Sequence, residues 1–236
     1  MPVKSFKDVE REYLDIHYKY ANHLEVNGQF DQWVNIYDRT YHSIMPIDKG
    51  VRILDIGCGA GHFLYYLREQ GYTNFTGVDS CHQMVKYVHQ YVTPYVLMSD
   101  AFEFLARVKP NSVDMIVAND FIEHMPKEQA LRFVGLCCDA LKPGGRLALK
   151  TMNMSAYGAN VILYNDLTHW AGYTEESLTM LFRLYGFREI AILPVKDFIT
   201  ARLTQMFMSF FYRLACHPTI KVPIMSRMMV GTGVKA

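Results

Sequence analysis

The sequence is poor in several features that would fix a function by themselves. Its 236 residues hold only five cysteines. An odd number at irregular spacing argues against a disulfide framework and leads us to expect reduced thiols in a cytoplasmic setting. No two cysteines stand at zinc-ligand spacing, and none of the nine histidines belongs to an H-E-x-x-H pair, so no metal site is expected. Excess charge is missing too: 24 basic against 23 acidic residues leave a formal +1, which counts against a nucleic acid as partner. No apolar run reaches membrane-spanning length. The opening MPVKSFKDVEREY is charged and lacks the apolar centre of a secretory signal.

What the chain does have is hydrophobic residues, half of the total, enough for one large domain with a small appendage. Its organising stretch is Val51–Leu67, VRILDIGCGAGHFLYYL. The apolar run from Val51 to Ile56, broken only by Arg52 and Asp55, reads as a buried parallel strand. Gly57, Gly59 and Gly61 follow, and then Phe63, Leu64 and Leu67 at helical spacing. Strand, glycine turn and helix together bring a ligand onto bare backbone amides at a helix N-terminus. The dinucleotide fingerprint G-x-G-x-x-G is built for a pyrophosphate. Here the spacing is G-x-G-x-G, with Asp55 two residues ahead, and a fixed acid there suits a cationic ligand.

These residues resemble the first motif of the class I S-adenosylmethionine-dependent methyltransferases, L-D-I/V-G-C-G-x-G, with Asp55, Gly57, Gly59 and Gly61 matching position by position and Cys58 between them. The resemblance continues along the chain. Phe75–Asp79, FTGVD, is a second short strand ending in an acid about twenty residues past the glycines, where a carboxylate accepts from both ribose hydroxyls. Ser80-Cys81-His82-Gln83-Met84 is similar to the family's D-x-S-x-x-M, with serine one place early. The resemblance puts Met84 against the adenine face, and a core methionine is the alternative. A third strand, Tyr95–Met98, leads to Asp100, which the resemblance makes the adenine contact beside the Ala101 amide, and which chain chemistry makes an N-cap for a helix over Phe102–Arg107. Val113–Asn119 is a fourth strand, with Glu123-His124 before a helix over Lys127–Leu141. Leu141-Lys142-Pro143-Gly144-Gly145 is the turn into a fifth. The matches span about 51–152 and imply a Rossmann-like, doubly wound α/β fold with a seven-stranded sheet, parallel but for an antiparallel last strand. They imply a donor site of Asp55, Gly57, Cys58, Gly59, Gly61, Asp79, Ser80, Met84, Asp100, Ala101 and Asn119 for S-adenosyl-L-methionine.

Three segments are expected. Residues 1–45, rich in aromatics (Phe6, Tyr13, Tyr18, Tyr20, Phe30, Trp33, Tyr37, Tyr41) and broken at Asn27-Gly28, read as helices, which the resemblance makes a lid over the donor and part of the acceptor pocket, the alternative being the apolar face of two packed helices. Residues 46–194 form the donor-binding core, including a loop over Met152–Trp170, a helix opening at Thr174-Glu175-Glu176-Ser177 and a sixth strand over Phe187–Leu193. Residues 195–236 hold an amphipathic helical insertion and a final strand over Arg227–Val234. Within 198–215, Leu203, Met206, Phe207, Phe210, Phe211 and Leu214 share one helical face and Arg202, Gln205, Ser209 and Arg213 the other. That pattern fits a peripheral contact at the inner membrane surface, a cover over the acceptor pocket or a homodimer contact.

A sulfonium donor is itself the electrophile, so an oxygen acceptor needs mainly orientation and a base. His124, expected at the carboxyl edge of the sheet, is the first candidate base, and His169 the second with Asp166 as partner. The Asn-Pro-Pro-Tyr/Phe signature of amide and base N-methylation is absent. The stretch Asp166–Leu178 is similar to methyltransferases of surface-glycan and secondary-metabolite pathways, which implies a small-molecule or sugar hydroxyl as acceptor. N- or C-methylation of a metabolite and a donor-binding regulator without catalysis stay open as alternatives, and a nicotinamide oxidoreductase leaves Asp100 and the Pro-Gly-Gly turn unexplained.

Overall fold

The computed structural model describes residues 29–195, 206, 207, 210, 224 and 226–236. The chain enters through α1 (Gln29–Tyr41) and alternates β1 (Ile53–Ile56), α2 (His62–Glu69), β2 (Phe75–Asp79), α3 (His82–Tyr91), β3 (Val96–Met98), α4 (Ala101–Arg107), β4 (Val113–Asn119), α5 (Lys127–Ala140) and β5 (Leu141–Met152). It continues with α6 (Ala159–Asn165), α7 (Glu175–Leu184), β6 (Arg188–Pro194) and β7 (Met228–Val234). The seven strands lie in the order β3-β2-β1-β4-β5-β7-β6. All pairings are parallel except the two made by β7, which runs antiparallel between β5 and β6.

Both faces of the sheet are covered, as continuous apolar strands require. Alternation along each strand sorts the core in two. Leu54 and Ile56 of β1, Ile116 and Ala118 of β4, and Leu147 and Leu149 of β5 pack with Leu105, Phe133, Leu178 and Phe182 of α4, α5 and α7. Ile53, Met115, Val117 and Ala148 face the other way, onto Tyr37, Tyr41, Phe63, Leu64, Tyr66 and Val88 of α1, α2 and α3. All four residues of β1 are buried, so the strand carrying Asp55 runs through the middle of the molecule.

Several expected boundaries move. Strand β3 starts at Val96, and Tyr95 only lends its carbonyl to Gly77 at 2.9 Å. Helix α4 begins one residue early, at Ala101, because Asp100 caps it. Strand β5 starts at Leu141 itself: Leu141 pairs with Val113, Lys142–Gly145 then loop out as an irregularity, and pairing resumes at Arg146 opposite Met115. The last two strands each shift by one residue against expectation, to Arg188–Pro194 and Met228–Val234. The expected loop 152–170 contains α6, preceded by Gly158 at φ 75°. Helix α7 starts where expected, in a reciprocal cap: Thr174 accepts from the Ser177 amide and Ser177 from the Thr174 amide. The first half of the expected lid and the aromatics Phe6, Tyr13, Tyr18 and Tyr20 lie outside the described residues, as does most of the expected amphipathic segment 198–215. Of that segment Met206, Phe207 and Phe210 are described, and all three are exposed.

Candidate active site

A cavity of about 490 Å³, within the usual range for small-molecule sites, opens at the carboxyl ends of β1, β2 and β4. The glycine loop makes its floor. Gly57 has φ 70°, and a Cβ there would sit 2.4 Å from the Phe121 ring. Only glycine lets the loop take this turn with Phe121 packed against it. The Gly59 amide donates to one Asp79 oxygen at 2.8 Å, and the Cys81 amide to the other at 2.8 Å. Burial raises the pKa of Asp79 while these amides pull it back down.

Asp55 differs. Both of its carboxylate oxygens are buried and have no partner. Burial, and after it the charge of Asp79, raises its pKa to about 8. A buried acid left unsatisfied is costly, and a positively charged ligand beside it would remove that cost. The site thus fits a cationic ligand, with Asp55, Asp79, Asp100 and Ala101 all on the cavity wall. Asp100 caps α4 as the N-cap reading expects, one oxygen accepting from Phe102 at 2.9 Å and from Glu103 at 3.0 Å, and it also lines the cavity.

The structure gathers most of the sequence-derived donor residues on this cavity: Asp55, Gly57, Cys58 and Gly59, then Asp79, Ser80, Asp100, Ala101 and Asn119. Gly61 and Met84 are not on its wall. Gly61, at φ 80°, starts α2 where a Cβ would press on Val88 at 2.9 Å, and Met84 is buried on α3. Asn119 ends β4, and its side-chain oxygen accepts from the Tyr41 hydroxyl while its amide nitrogen is buried without a partner.

On the acceptor side His124 closes a short helical turn, Ile122–His124, and lines the cavity with Asp166 and Thr168. Its Nδ1 lies 2.9 Å from the Thr168 hydroxyl, which donates to Asp166 at 2.6 Å. An ionised carboxylate only accepts, so the Thr168 proton points to Asp166 and His124 Nδ1 carries the hydrogen it shares with Thr168. Burial, then the neighbouring His169, lowers the pKa of His124. The His169 ring does not line the cavity but stands against His124 with centroids 4.7 Å apart.

Sequence reasoning missed Thr168, Asp120, Lys150, His62 and Phe121. Lys150, nearly buried on β5, bonds Asp120 at 2.5 Å and lies over the Trp33 ring. A lone lysine inside the apolar strand LALKTM is the signal that could have found it. His62 sits between Phe30 and Trp33 with Nε2 unpartnered, and burial lowers its pKa to about 4.

Comparison with known proteins agrees with this geometry. A family model described as a methyltransferase domain matches residues 27–192. A ubiquinone biosynthesis O-methyltransferase of Idiomarina loihiensis is 34% identical over 108 residues, 44% of this chain and 43% of that protein. One of Xylella fastidiosa is 33% identical over 109 residues, again 44% and 43%. The chain thus spans less than half the length of these curated relatives. Among solved structures, a SAM-dependent methyltransferase from Archaeoglobus fulgidus superposes with a TM-score of 0.71 at 22% identity, covering 92% of this chain and 100% of the other. A phosphoethanolamine N-methyltransferase 2 of Haemonchus contortus, bound to S-adenosylhomocysteine, gives 0.65 at 18%, covering 99% and 60%. With the matching residues making up well over half of its length, the chain belongs to the methyltransferase-domain family, among the class I S-adenosylmethionine-dependent methyltransferases.

Proposed function

We propose that the protein methylates a hydroxyl oxygen of a small molecule. The carrying observation is His124: neutral, at the cavity wall, with its Nδ1 hydrogen fixed on Thr168 and so its other ring nitrogen a lone pair. A bound S-adenosylmethionine supplies an electrophilic methyl on a sulfonium centre. The chain's residues do the rest. Asp79 and Asp55 hold the donor's hydroxyls and positive charge, Asp100 and Ala101 its base, and Asn119 the edge next to the acceptor. His124 accepts the acceptor's proton, for which a neutral imidazole is suited near pH 7. The curated relatives are O-methyltransferases, which supports the choice of oxygen.

For the acceptor, a sugar hydroxyl of a glycan or secondary-metabolite intermediate is our reading, with a ubiquinone-type hydroxyl as the competitor the relatives suggest. Purified protein incubated with S-adenosylmethionine and hydroxyl acceptors of both kinds should release S-adenosylhomocysteine. Turnover only with amine acceptors would overturn the oxygen assignment, and donor binding without any turnover would leave a regulator.

The domain roles are part of this proposal. Residues 1–45 act as a lid: Tyr37 lines the cavity and Tyr41 reaches Asn119. Residues 46–194 bind the donor. Residues 195–236 add the closing strand and an amphipathic segment, for which we propose peripheral membrane contact through 198–215, supported by the exposed Met206, Phe207 and Phe210.

A further inference from the structure

Two histidines and one aspartate converge on the acceptor side of the cavity from two different loops. His124 follows β4, while Asp166 and His169 follow α6. One nitrogen of each ring and one carboxylate oxygen lie within 4.8 Å of one another. We propose that His124, Asp166 and His169 bind a divalent transition-metal ion of the zinc class.

The hydrogen bonds around the three residues set them up as ligands. His169 Nδ1 faces two backbone carbonyls, those of Ile162 at 3.2 Å and Leu163 at 3.3 Å. Carbonyls only accept, so Nδ1 carries a hydrogen, and Nε2 is the ring atom left to bind an ion. That Nε2 stands 3.7 Å from Asp166 Oδ2. The other Asp166 oxygen is held by the Thr168 amide at 2.8 Å and hydroxyl at 2.6 Å, and the same hydroxyl fixes the Nδ1–H of His124. Both imidazoles are therefore oriented with a hydrogen on Nδ1, which leaves Nε2 as the ligand atom of each ring. A ligand histidine is oriented by such an outer hydrogen bond to a carbonyl or hydroxyl.

The spacing suits an ion. Tetrahedral zinc at ~2.0–2.1 Å from nitrogen and oxygen holds its ligand atoms about 3.3 Å apart, so His169 and Asp166, 3.7 Å apart, need little contraction, and the full set, within 4.8 Å, draws in on binding. Their side chains are only 11% and 17% exposed, which limits competition from water. Two imidazoles and one carboxylate select zinc, manganese, iron or cobalt over magnesium and calcium, which favour all-oxygen shells. Three protein ligands leave room for one more, and two of the three, His124 and Asp166, line the cavity. A hydroxyl held there would lose its proton more readily; this role, unlike the binding itself, rests on the hydroxyl-acceptor reading. With the ion present His124 acts through it instead of taking the proton directly.

The test is calorimetric titration of zinc alone into chelator-treated full-length protein, with magnesium as the hard-ion control. The proposal expects one saturable zinc equivalent and no magnesium binding. It expects Thr168→Val to weaken zinc about 10–100-fold, the usual effect of an outer hydrogen bond, and His169→Ala and Asp166→Asn to weaken it more. Donor affinity in the same variants confirms that they are folded. A Cys81→Ser variant should bind zinc like the parent. Zinc binding equal in parent and ligand variants, or none in the parent, overturns the proposal and leaves His169 and Asp166 as an ordinary ion pair. If zinc binds as expected and no hydroxyl acceptor turns over, the metal site stands and the hydroxyl reading falls.

Discussion

Asp55 and Asp79 end neighbouring strands on one cavity, and the charge of Asp79 adds to burial in holding Asp55 protonated, with a pKa of about 8. The free protein therefore carries a neutral acid where a cationic donor must bind. Facing that donor, Asp55 ionises, so binding releases a proton below about pH 8. Linkage then makes donor affinity rise by up to about tenfold per pH unit from pH 6 to pH 8 and level off above. Titration calorimetry in buffers of different ionisation enthalpy checks both affinity and proton release. Asp55→Asn should flatten the profile; a flat profile in the parent would show that Asp55 keeps one charge state throughout.

The Tyr41 hydroxyl is the tie between α1 and the end of β4. Tyr41→Phe removes the donor and leaves the Asn119 oxygen unsatisfied next to an amide nitrogen that already lacks a partner. Stability should fall by about 1–3 kcal/mol, the cost of stranding a buried polar group. Urea unfolding of the two proteins measures this, and equal midpoints would mean the contact contributes nothing.

Replacing His124 by alanine should lower turnover by roughly a hundredfold or more, the scale of a positioned base, while donor affinity changes little. Burial lowers the pKa of His124, so the ring sheds its proton below the ordinary histidine range. Activity that depends on the neutral ring is lost only on acidification beneath that lowered value and is already complete at pH 7. A pH–rate profile of the parent reads this directly; near-parental turnover in His124→Ala would move the chemistry elsewhere.

The segment 198–215 is tested with vesicles. Peripheral contact predicts co-sedimentation with anionic vesicles, weakened by salt because the segment carries Arg202 and Arg213 and no acid. Recovery in the supernatant regardless of vesicles would assign the segment to the acceptor pocket or to a second copy of the chain.

The sequence carried much of this, and the parts it did not carry share a cause. Strand-ending acids such as Asp55 and Asp79 were readable because strand, turn and helix follow one another locally, and the Asp79–Gly59 hydrogen bond joins positions only twenty residues apart. The pairing of His169 with Asp166, three positions apart, was readable as well; the tie of His124 to them through Thr168 was not, since no local spacing relates residues brought together across a sheet edge. A search for zinc-ligand spacing is blind to such a set. Lys150 was overlooked for a similar reason: its partners Asp120 and Trp33 come from a loop and a helix far away in the chain. The start of β5 at Leu141 escaped because Pro143-Gly144-Gly145 reads as a turn, whereas pairing with Val113 begins before it.

The placement of β7 has a consequence for how the molecule comes into being. Residues 228–234 follow every other strand in the chain, yet they lie between β5 and β6. Until β7 is in place, β5 therefore exposes a bare row of amides and carbonyls on the side away from β4, and β6 lacks its sheet neighbour. Such an edge is a template for joining the wrong strand. The last strand in the sequence is thus the one that seals the sheet, and the hazard of mispairing is confined to the interval before residues 228–234 dock between β5 and β6.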